Sequence, residues 1–516
     1  MGRNRWLPLF YFLALLPLFI LRDYTPGNEL RYLDIVEEAL RSGKFFTFTN
    51  QGQLYADKPP LYFWIAMCGR WMFGGHYMWF LSLLSFLPAV VLIQTMDRWI
   101  SKEASPENRF SAQLMLMSTG LFLGLTVINR MDMLMCMFIV LALYTFYRLY
   151  QSERLSAKRQ GLFALFLYLA LFSKGPIGLF IPLLSTSAFL LISGKIRTIG
   201  RYWGWRTWLV LLGGSLLWFV GVYLEGGGEY LSNLLVHQTV NRAVDSFHHK
   251  EPFYYYLVSF WYSLAPWSLL IFGVLAVSVC RRYIRTDLER FFAVVLLTTF
   301  VFLSTVSSKI QIYMAPAFPF FIYLTVLLLS RFRWNYWLAL TLAVPAIAYI
   351  AALPTILILS RKGVPFLADG WLYAGAGILT LSGMVCIGLL YRKKELNKAI
   401  HTLGIGLFCT IFVAAFSLPQ TNSQFGYKDV CTKALELSQT YQTNGYCAYT
   451  LTRAENMDVF LREDVEIVTR EEVLKGKCAG KIFFIRTRRL GRDQELCDYL
   501  HECVKYVVGK HMVVVL

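Results

Sequence analysis

The chain has 516 residues, of which 56% are hydrophobic, 16% are aromatic and only 16% are charged, and its formal net charge is +18. Its mean hydropathy is +0.49. Soluble globular proteins rarely have this composition, so the sequence excludes an ordinary soluble domain and predicts a polytopic α-helical membrane protein.

Apolar runs long enough to cross a bilayer core recur along most of the chain. We predict about thirteen transmembrane helices from these runs. The runs begin near residues 6, 77, 111, 131, 161, 176, 207, 257, 291, 312, 335, 371 and 400. The first run, residues 6–21, follows two arginines and has no small-residue cleavage site after it, so we expect an uncleaved helix.

An amphipathic segment follows the first apolar run. Within residues 29–40, Leu30, Leu33 and Val36 are interleaved with charged residues at helical spacing. This pattern predicts a helix that lies on the membrane interface and lines the entry of a lipid substrate; a helix packed on the tail domain is the alternative. Charge beside hydrocarbon must keep water or a partner, so the juxtamembrane loop 22–76 is the first place to look for chemistry.

Basic residues are concentrated in alternate loops, which orients the chain. These loops lie at residues 98–109, 148–159, 195–206, 281–290, 331–333 and 392–398. Short loops rich in lysine and arginine stay in the cytoplasm, so we expect a cytoplasmic N-terminus. The same charges then face anionic lipid, and a nucleic-acid partner is not expected.

The loops of the opposite side contain specific polar residues in place of diffuse positive charge. They are Asn129, Arg130 and Asp132; Ser173 and Lys174; His248, His249 and Lys250; and Ser308, Lys309 and Tyr313. A single cation at the end of a helix can extend to the headgroup region without any function. Four such loops on one side predict a polar site at the outer membrane boundary.

Charged residues return in the tail of the chain. Short apolar runs near residues 446–451, 465–468, 481–486 and 513–516 predict strands, and helical patterns at 427–439 and 494–504 lie between them. Alternating strands and helices indicate a small α/β domain, which an odd number of spans places outside the cytoplasm. We therefore divide the chain into a transmembrane domain, 1–419, and an extracytoplasmic α/β domain, 420–516.

The cysteines and glycines of the chain bear on two questions, whether disulfides form and whether a nucleotide is bound. Five of the ten cysteines fall in the tail, at positions 431, 447, 478, 497 and 503. An oxidising compartment permits disulfides, but the odd number leaves their pairing open. No Walker loop or convincing GxGxxG turn is present, so an ATP-driven pump is not expected.

Six short motifs give the chain a resemblance to a known family. They are Asn28-Glu29-x-Arg31-Tyr32, Asp57-Lys58-Pro59, Arg130-x-Asp132, Ser173-Lys174-Gly175, His249-Lys250-x-Pro252-Phe253 and Lys309-x-x-x-Tyr313. In this order they resemble the membrane glycosyltransferases of the C-type fold (GT-C), and most closely the bacterial aminoarabinose transferases of the protein O-mannosyltransferase superfamily (glycosyltransferase families 39 and 83). The resemblance implies one-step, inverting transfer of a sugar from a polyprenyl (undecaprenyl) phosphate carrier.

The carrier phosphate becomes a dianionic leaving group at the membrane boundary, so cations and hydrogen-bond donors must meet it. The candidate phosphate-binding residues are Lys58, Arg31, Tyr32, Arg130, Lys174, Lys250, Lys309 and Tyr313. Lys58 and Tyr313 are the first choices. A carrier bond of this kind needs no nucleotide at the site.

The candidate catalytic residues are Asn28, Glu29 and Asp132. Related enzymes usually have Asp-Glu where this chain has Asn28-Glu29, and the aspartate is the expected catalytic acid-base or acceptor-positioning carboxylate. Asn28 can orient an acceptor but cannot take its proton. Glu29 or Asp132 then supplies the carboxylate, or the acceptor is already an anion such as a lipid phosphate, or the chain is an inactive relative.

A metal site is an open alternative. The family's Glu-Lys-Pro stands here as Asp57-Lys58-Pro59, and in resembling enzymes that acid, with a histidine from a later loop, can hold a zinc ion. Asp57 with His248 or His249 is the corresponding pair. In the simpler interpretation these groups hydrogen-bond near the substrate and no cofactor is required.

The function that the resemblance favours is transfer of a sugar to lipid A or another lipid-linked glycan, by a monomer, at the periplasmic face of the bacterial inner membrane. Protein O-mannosyltransferase-like transfer to secreted proteins is the alternative within the enzyme class. A transporter or flippase of the carrier lipid is the alternative outside it. Transporters place charges near the bilayer midplane and often show inverted repeats, whereas here the charges gather at one face, which favours the enzyme.

Overall fold

The computed structural model describes residues 6–152, 156–235, 250–362 and 364–516. Helices account for most of the chain. Those before the tail strands are α1 (Leu7–Leu21), α2 (Arg31–Ser42), α3 (Leu61–Phe73), α4 (Met78–Trp99), α5 (Pro106–Met117), α6 (Gly120–Val127), α7 (Asp132–Tyr150), α8 (Ala157–Lys174), α9 (Ile177–Ile192), α10 (Trp205–Ser232), α11 (Tyr255–Ser263), α12 (Ser268–Cys280), α13 (Asp287–Thr305), α14 (Phe318–Leu329), α15 (Tyr336–Ile350), α16 (Ala352–Arg361), α17 (Gly370–Gly388), α18 (Leu396–Ala414), α19 (Leu418–Phe425) and α20 (Lys428–Tyr441).

The polytopic helical architecture is confirmed, in a coarser form than the sequence predicts. Eight of the described helices are long and apolar enough to cross a membrane, or up to ten if each of two bent helix pairs is one span. The predicted number of about thirteen spans is not confirmed. One bent pair, α5 and α6, turns by 68°, and α9 and α12 are apolar but shorter.

Helix α2 lies across the end of α1 and does not continue it. A turn of π-helix, Pro26–Leu30, leads into α2, and the axis bends by 75° relative to α1. Helix α2 ends at Ser42 and is capped by Gly43, whose φ of 67° is strained for residues with a Cβ. Its apolar face is buried in one hydrophobic cluster with residues of the tail, including Tyr427 and Val513. The predicted amphipathic helix therefore exists, and it packs on the tail domain.

The tail contains a five-stranded mixed sheet. Its strands are β3 (Tyr446–Tyr449), β4 (Val465–Ile467), β5 (Ile482–Arg486), β6 (Val504–Val508) and β7 (His511–Val515), after a small hairpin of β1 (Thr49–Asn50) and β2 (Gln53–Leu54) near α2. The order is β4-β3-β5-β7-β6. Strands β3, β4 and β5 are parallel because helical segments connect them, whereas β6 and β7 form an antiparallel hairpin.

The tail helices are α21 (Asp458–Leu461), α22 (Arg470–Leu474), α23 (Thr487–Leu490) and α24 (Gln494–Tyr499). The predicted helix at 494–504 ends at Tyr499, and β6 begins at Val504. The β-branched residues of β6 pair with β7, and this pairing outweighs the local helical pattern.

Helix α7 is central to the membrane part. Most of its side chains are buried, from Asp132 at its first turn to Leu149 near its end. It packs against α4, α8 and α9. The acid at its start is therefore carried by a helix that is fixed on several sides, which gives the candidate site a rigid base.

The crossing of α15 and α17 provides a test of the fold. A Cβ added at Gly383 would lie 2.5 Å from the carbonyl oxygen of Ala346, whereas a Cβ at Gly377 of the same helix would meet no atom within 4 Å. We expect Gly383→Ala to destabilise the protein by about 1–3 kcal/mol because the helices must separate. Gly377→Ala should leave the melting temperature unchanged or slightly higher. Thermal unfolding in detergent measures both, and equal melting temperatures for the two variants would contradict this crossing.

Candidate functional site

Glu29 joins three segments near the end of α1. Its carboxylate accepts two hydrogen bonds from Arg22, at 2.7 and 2.6 Å, one from the backbone N–H of Thr25 at 2.8 Å, and one from that of Asn129 at 2.7 Å. The Glu29 side chain is fully buried. Four donors occupy the lone pairs of this buried carboxylate, so its geometry favours a structural role over a catalytic one.

The loop before α7 is held by the same network. Arg22 Nη2 also donates to the carbonyl of Val127 at 3.0 Å. From the other side, Ser85 Oγ donates to the carbonyl of Ile128 at 2.8 Å and contacts that of Arg130 at 3.3 Å. The backbone at Arg130 is thus fixed by α1 and α4, and its guanidinium is directed from a rigid base.

Asp132 lies between two cations. Arg130 Nε donates to Asp132 Oδ2 at 3.0 Å, and Lys174 Nζ makes a short ion pair with Oδ1. The side chains of Asp132 and Lys174 are only 1% and 4% exposed. The carboxylate therefore neutralises part of two cationic charges and holds both in place, and one positive charge remains in the triad.

Lys174 is positioned by a break between two helices. Helix α8 ends at Lys174, Gly175 adopts φ 97° and ψ −156°, and α9 follows after Pro176. This backbone conformation is strained for a residue with a Cβ. The ammonium also lies 4.9 Å from the centre of the Tyr313 ring, a cation–π distance. The motif Ser173-Lys174-Gly175 thus places its lysine beside two other predicted site residues.

Arg31 and Tyr32, at the start of α2, adjoin this cluster. The guanidinium carbon of Arg31 lies 5.8 Å from the Tyr32 ring and 5.6 Å from the Tyr55 ring, and its Nη2 donates to Asn28 Oδ1 at 3.4 Å. Tyr32 is buried within electrostatic reach of Arg130 and other charges of the cluster. Burial raises the pKa of the Tyr32 phenol, so its hydroxyl remains a hydrogen-bond donor.

A cavity of about 340 Å³ opens beside these residues. Its polar lining comes from Asp57, Lys58, Lys174, Ser215, Ser308 and Tyr313. Its apolar lining includes Leu171, Ile177, Phe180, Trp218, Phe219, Leu234, Leu235 and Phe302. A cavity that combines ammonium groups with a large hydrocarbon surface suits an anionic lipid better than a water-soluble ligand.

Lys250 and Lys309 lie at the margin of this cavity and not in its lining. Lys250 pairs with Ser308 in an isolated antiparallel bridge. Lys309 is buried, and its Nζ donates to the carbonyl of Glu251 at 3.0 Å. Burial lowers the pKa of Lys309. Both lysines therefore fix the loop that presents Ser308 to the cavity.

The predicted metal pair cannot be assembled from the described residues. Asp57 lines the cavity, whereas His248 and His249 lie outside the part of the chain that the structure describes. Among residues 6–152, 156–235, 250–362 and 364–516, no group of three or more His, Cys, Asp or Glu side chains is placed to hold a metal ion.

Two parts of the site were not identified from the sequence. Arg22 completes the Glu29 network, and its position directly after the first apolar run was an available signal. The aromatic lining from Trp218 and Phe219 carried no such signal, because apolar residues in a membrane helix look alike whether they face lipid, protein or a cavity.

Known proteins resemble the chain in sequence. The profile of the dolichyl-phosphate-mannose-protein mannosyltransferase family matches residues 57–219. An uncharacterized protein of Aquifex aeolicus is 29% identical over 327 residues, which cover 60% of this chain and 62% of that protein. The undecaprenyl phosphate-α-4-amino-4-deoxy-L-arabinose arabinosyl transferase of Shewanella sediminis is 26% identical over 332 residues, 63% of this chain and 60% of that enzyme. The matches span about three-fifths of these relatives.

The fold is also that of a solved structure. The crystal structure of ArnT from Cupriavidus metallidurans bound to undecaprenyl phosphate superposes with a TM-score of 0.76 at 17% identity, over 99% of this chain and 98% of that one. The apo form of the same protein gives a TM-score of 0.74. The resemblance noted in the sequence is therefore confirmed: the chain is a multi-pass membrane protein with the ArnT-like GT-C fold, and it is similar in sequence to the aminoarabinose transferases.

Proposed function

We propose that this chain transfers a sugar from a polyprenyl (undecaprenyl) phosphate carrier to lipid A or another lipid-linked glycan, with inversion at the anomeric carbon. The observation that carries the proposal is the cavity in which Lys58, Lys174 and Tyr313 accompany an extensive apolar lining. The ammonium groups suit a phosphate, and the hydrocarbon walls suit an isoprenoid chain. The ArnT-like fold supports the same assignment.

In the proposed reaction an acceptor oxygen attacks the anomeric carbon. A bond forms between these two atoms, and the bond from the anomeric carbon to the carrier phosphate oxygen breaks, with its electron pair moving to that oxygen. The three cations Lys58, Lys174 and Arg130 exceed the two carboxylates Asp57 and Asp132 by one charge. This surplus stabilises the phosphate as its negative charge develops.

The acceptor is proposed to be an anion, such as the phosphate of a lipid. Glu29 is held by four donors and Asp132 by two cations, so both carboxylates are already engaged by protein groups. A phosphate oxygen attacks without losing a proton and needs no general base. Asn28, which already accepts a hydrogen bond from Arg31, is then suited to orienting the acceptor.

The remaining assignments follow from this proposal. The protein is a monomer of the bacterial inner membrane, with a cytoplasmic N-terminus and the active site on the periplasmic face. Residues 1–419 form the transferase domain, and residues 420–516 form a periplasmic α/β domain. The ligands are the carrier lipid, the acceptor glycolipid and the surrounding membrane lipids, and nucleic acid is not among them.

We propose that the reaction requires no cofactor, because the carrier bond supplies the driving force and cationic side chains stabilise the leaving group. Zinc held by Asp57 with His248 or His249 is the alternative. Activity that is lost in a strong chelator and restored by zinc would favour that alternative.

Two further functions have an observation in their favour. The family profile over residues 57–219 supports transfer to secreted proteins, since its description names protein mannosyltransferases. A cavity with an apolar lining is also compatible with a flippase. Purified protein in detergent distinguishes the flippase from the enzyme, because glycosyl transfer does not need a sealed membrane and lipid translocation does.

The acceptor is tested by mass spectrometry of lipid A, envelope glycans and secreted proteins from cells with and without the gene. The proposal expects a sugar to be lost from lipid A or a lipid-linked glycan. Unchanged lipids together with a sugar lost from secreted proteins would exclude the proposed acceptor and favour the mannosyltransferase-like alternative.

Lys58→Ala is expected to reduce transfer about 100-fold, because a cation is removed from the developing phosphate charge. The melting temperature should remain near the wild-type value, since no core volume is lost. Lys44→Ala is the matched control: this lysine follows α2 and is exposed, and its charge is the same. Transfer assays with purified protein compare the three forms. Equal losses in the two variants would show a general charge effect and contradict the phosphate-binding role.

Glu29→Gln is expected to destabilise the protein by about 3–5 kcal/mol, because it leaves Arg22 as an uncompensated buried charge. Thermal unfolding measures this loss, and Arg22→Gln in the Glu29→Gln background should recover part of it. A Glu29→Gln protein that melts like wild type but is inactive would instead identify Glu29 as a catalytic group.

Restoring a missing general base would raise the transfer rate by a factor of about 10²–10⁴. Asn28→Asp is expected to change the rate by less than this factor. The physical reason is that an anionic acceptor needs no deprotonation. The measurement is the rate with saturating carrier-linked sugar. A gain of two orders of magnitude would identify a hydroxyl acceptor and exclude the phosphate.

A further inference from the structure

Two carboxyl groups meet where the tail domain packs on α2. Asp34 of α2 is fully buried, and Asp458, at the start of α21, is 6% exposed. Helix α2 packs against α21, and the two carboxyl groups are close enough for each to shift the pKa of the other. The Oδ1 atom of each is buried and accepts no hydrogen bond from a donor in the described part of the chain. Two ionised carboxylates in this arrangement would repel each other, whereas one shared proton makes a hydrogen bond.

The groups around the pair supply little positive charge. Asp34 Oδ2 accepts hydrogen bonds from the neutral amides of Asn50, at short distance, and Gln51, at 3.3 Å. Arg41 Nη2 lies 3.7 Å from Asp458 Oδ2, but this arginine is 58% exposed and its charge is largely screened by solvent.

The other charged groups that face the pair are acidic. Glu38 of α2 and Asp464 of the tail both act on it with negative charge. Glu38 is itself occupied by the N–H of Gln51 and the hydroxyl of Thr49. The environment therefore disfavours a second negative charge at Asp34. Burial, followed by the contact with Asp458, raises the pKa of Asp34 from 3.8 to about 9.

We propose that Asp34 and Asp458 share one proton, and that this proton holds the tail domain on α2, the helix that carries Arg31 and Tyr32 to the candidate site. Asp34 and Asp458 are then positioning residues for the site. The pair is supported by neutral contacts across the same interface, from Asn50 to Asn456 at 3.2 Å and from Gln51 to the carbonyl of Glu455 at 3.1 Å.

The position of the pair on α2 connects it to the site. Asp34 lies two residues after Tyr32, whose phenol is within electrostatic reach of Arg130 and Lys174. Helix α2 and the tail share one hydrophobic cluster. Movement of the tail away from α2 would therefore remove the packing that orients the first turn of the helix, where Arg31 and Tyr32 begin.

The proton makes docking depend on pH with a defined sign. In the docked state the pKa of Asp34 is raised to about 9, and on release it returns to about 3.8. Between these values the docked state binds one proton more than the released state. Docking is therefore strongest below pH 3.8. Above that pH the equilibrium constant for docking falls about tenfold per pH unit until about pH 9.

Asp34→Asn in the full-length protein tests the proposal. The amide oxygen can accept from Asn50 and Gln51 as Asp34 Oδ2 does, and the amide N–H can donate to Asp458 in place of the proton. Thermal unfolding in detergent is measured from pH 5 to pH 9 for both forms. We expect the ratio of their unfolding constants, wild type over variant, to rise about tenfold per pH unit. Asp458→Asn should reduce the dependence of stability on pH in the same way as Asp34→Asn. An amide at either position supplies the hydrogen that the shared proton supplies in the wild type.

Glu37→Gln is the matched control on the same helix. Its carboxylate is paired with His76 and Arg70, and hydrogen bonds from these residues lower the pKa of Glu37 to about 2. It is ionised throughout the tested range, so its variant should keep the wild-type dependence on pH. Parallel curves for wild type and Asp34→Asn, or an Asp34→Asn variant less stable than wild type at pH 5, would overturn the shared proton.

A binding measurement separates positioning from stability alone. Binding of undecaprenyl phosphate to the wild type should weaken, relative to Asp34→Asn, as pH rises toward 9; the ionisation of the ligand cancels in this ratio. A constant ratio would overturn the positioning role and leave only a stabilising pair. This second readout rests on the proposed function, whereas the unfolding test does not, so failure of one can be told from failure of the other.

Discussion

The site depends first on the buried carboxylate of Glu29. A charged group in this position is stable only while its donors surround it, and its donors come from the end of α1, the π-turn before α2 and the loop before α7. One side chain therefore fixes the mutual positions of three segments. Arg130 follows Asn129 directly, so this contact also fixes the position of Arg130 and of the Arg130–Asp132–Lys174 triad.

The cationic triad and the cavity together define what the site can bind. Asp132 holds Arg130 and Lys174 close to each other, although two cations would otherwise repel. Lys174 also lines the cavity together with Lys58, beside aromatic and aliphatic walls. Positive charge next to hydrocarbon is costly for an empty membrane protein, and a phosphate on a long apolar chain removes that cost. The tail domain takes part through α2, which it packs against.

Hydropathy identified the class of protein because transmembrane composition is a local property of the sequence, and the polar loops and α2 were visible for the same reason. The number of spans was not visible in the sequence, because bends such as the 68° break between α5 and α6 depend on packing. The role of Glu29 was hidden because its partner Asn129 lies one hundred residues away. The sequence shows only that Glu29 is charged and follows an apolar run. The fold shows that its carboxylate is buried and accepts four hydrogen bonds.

The central claim is that the cationic cavity holds the phosphate of the carrier lipid. A structure of this protein with undecaprenyl phosphate tests it most directly. The account predicts density for the phosphate within ion-pair distance of Lys58 and Lys174, with the isoprenoid chain along Trp218 and Phe219. A phosphate bound elsewhere, for example in the cavity lined by Arg98 and Arg109, would contradict it.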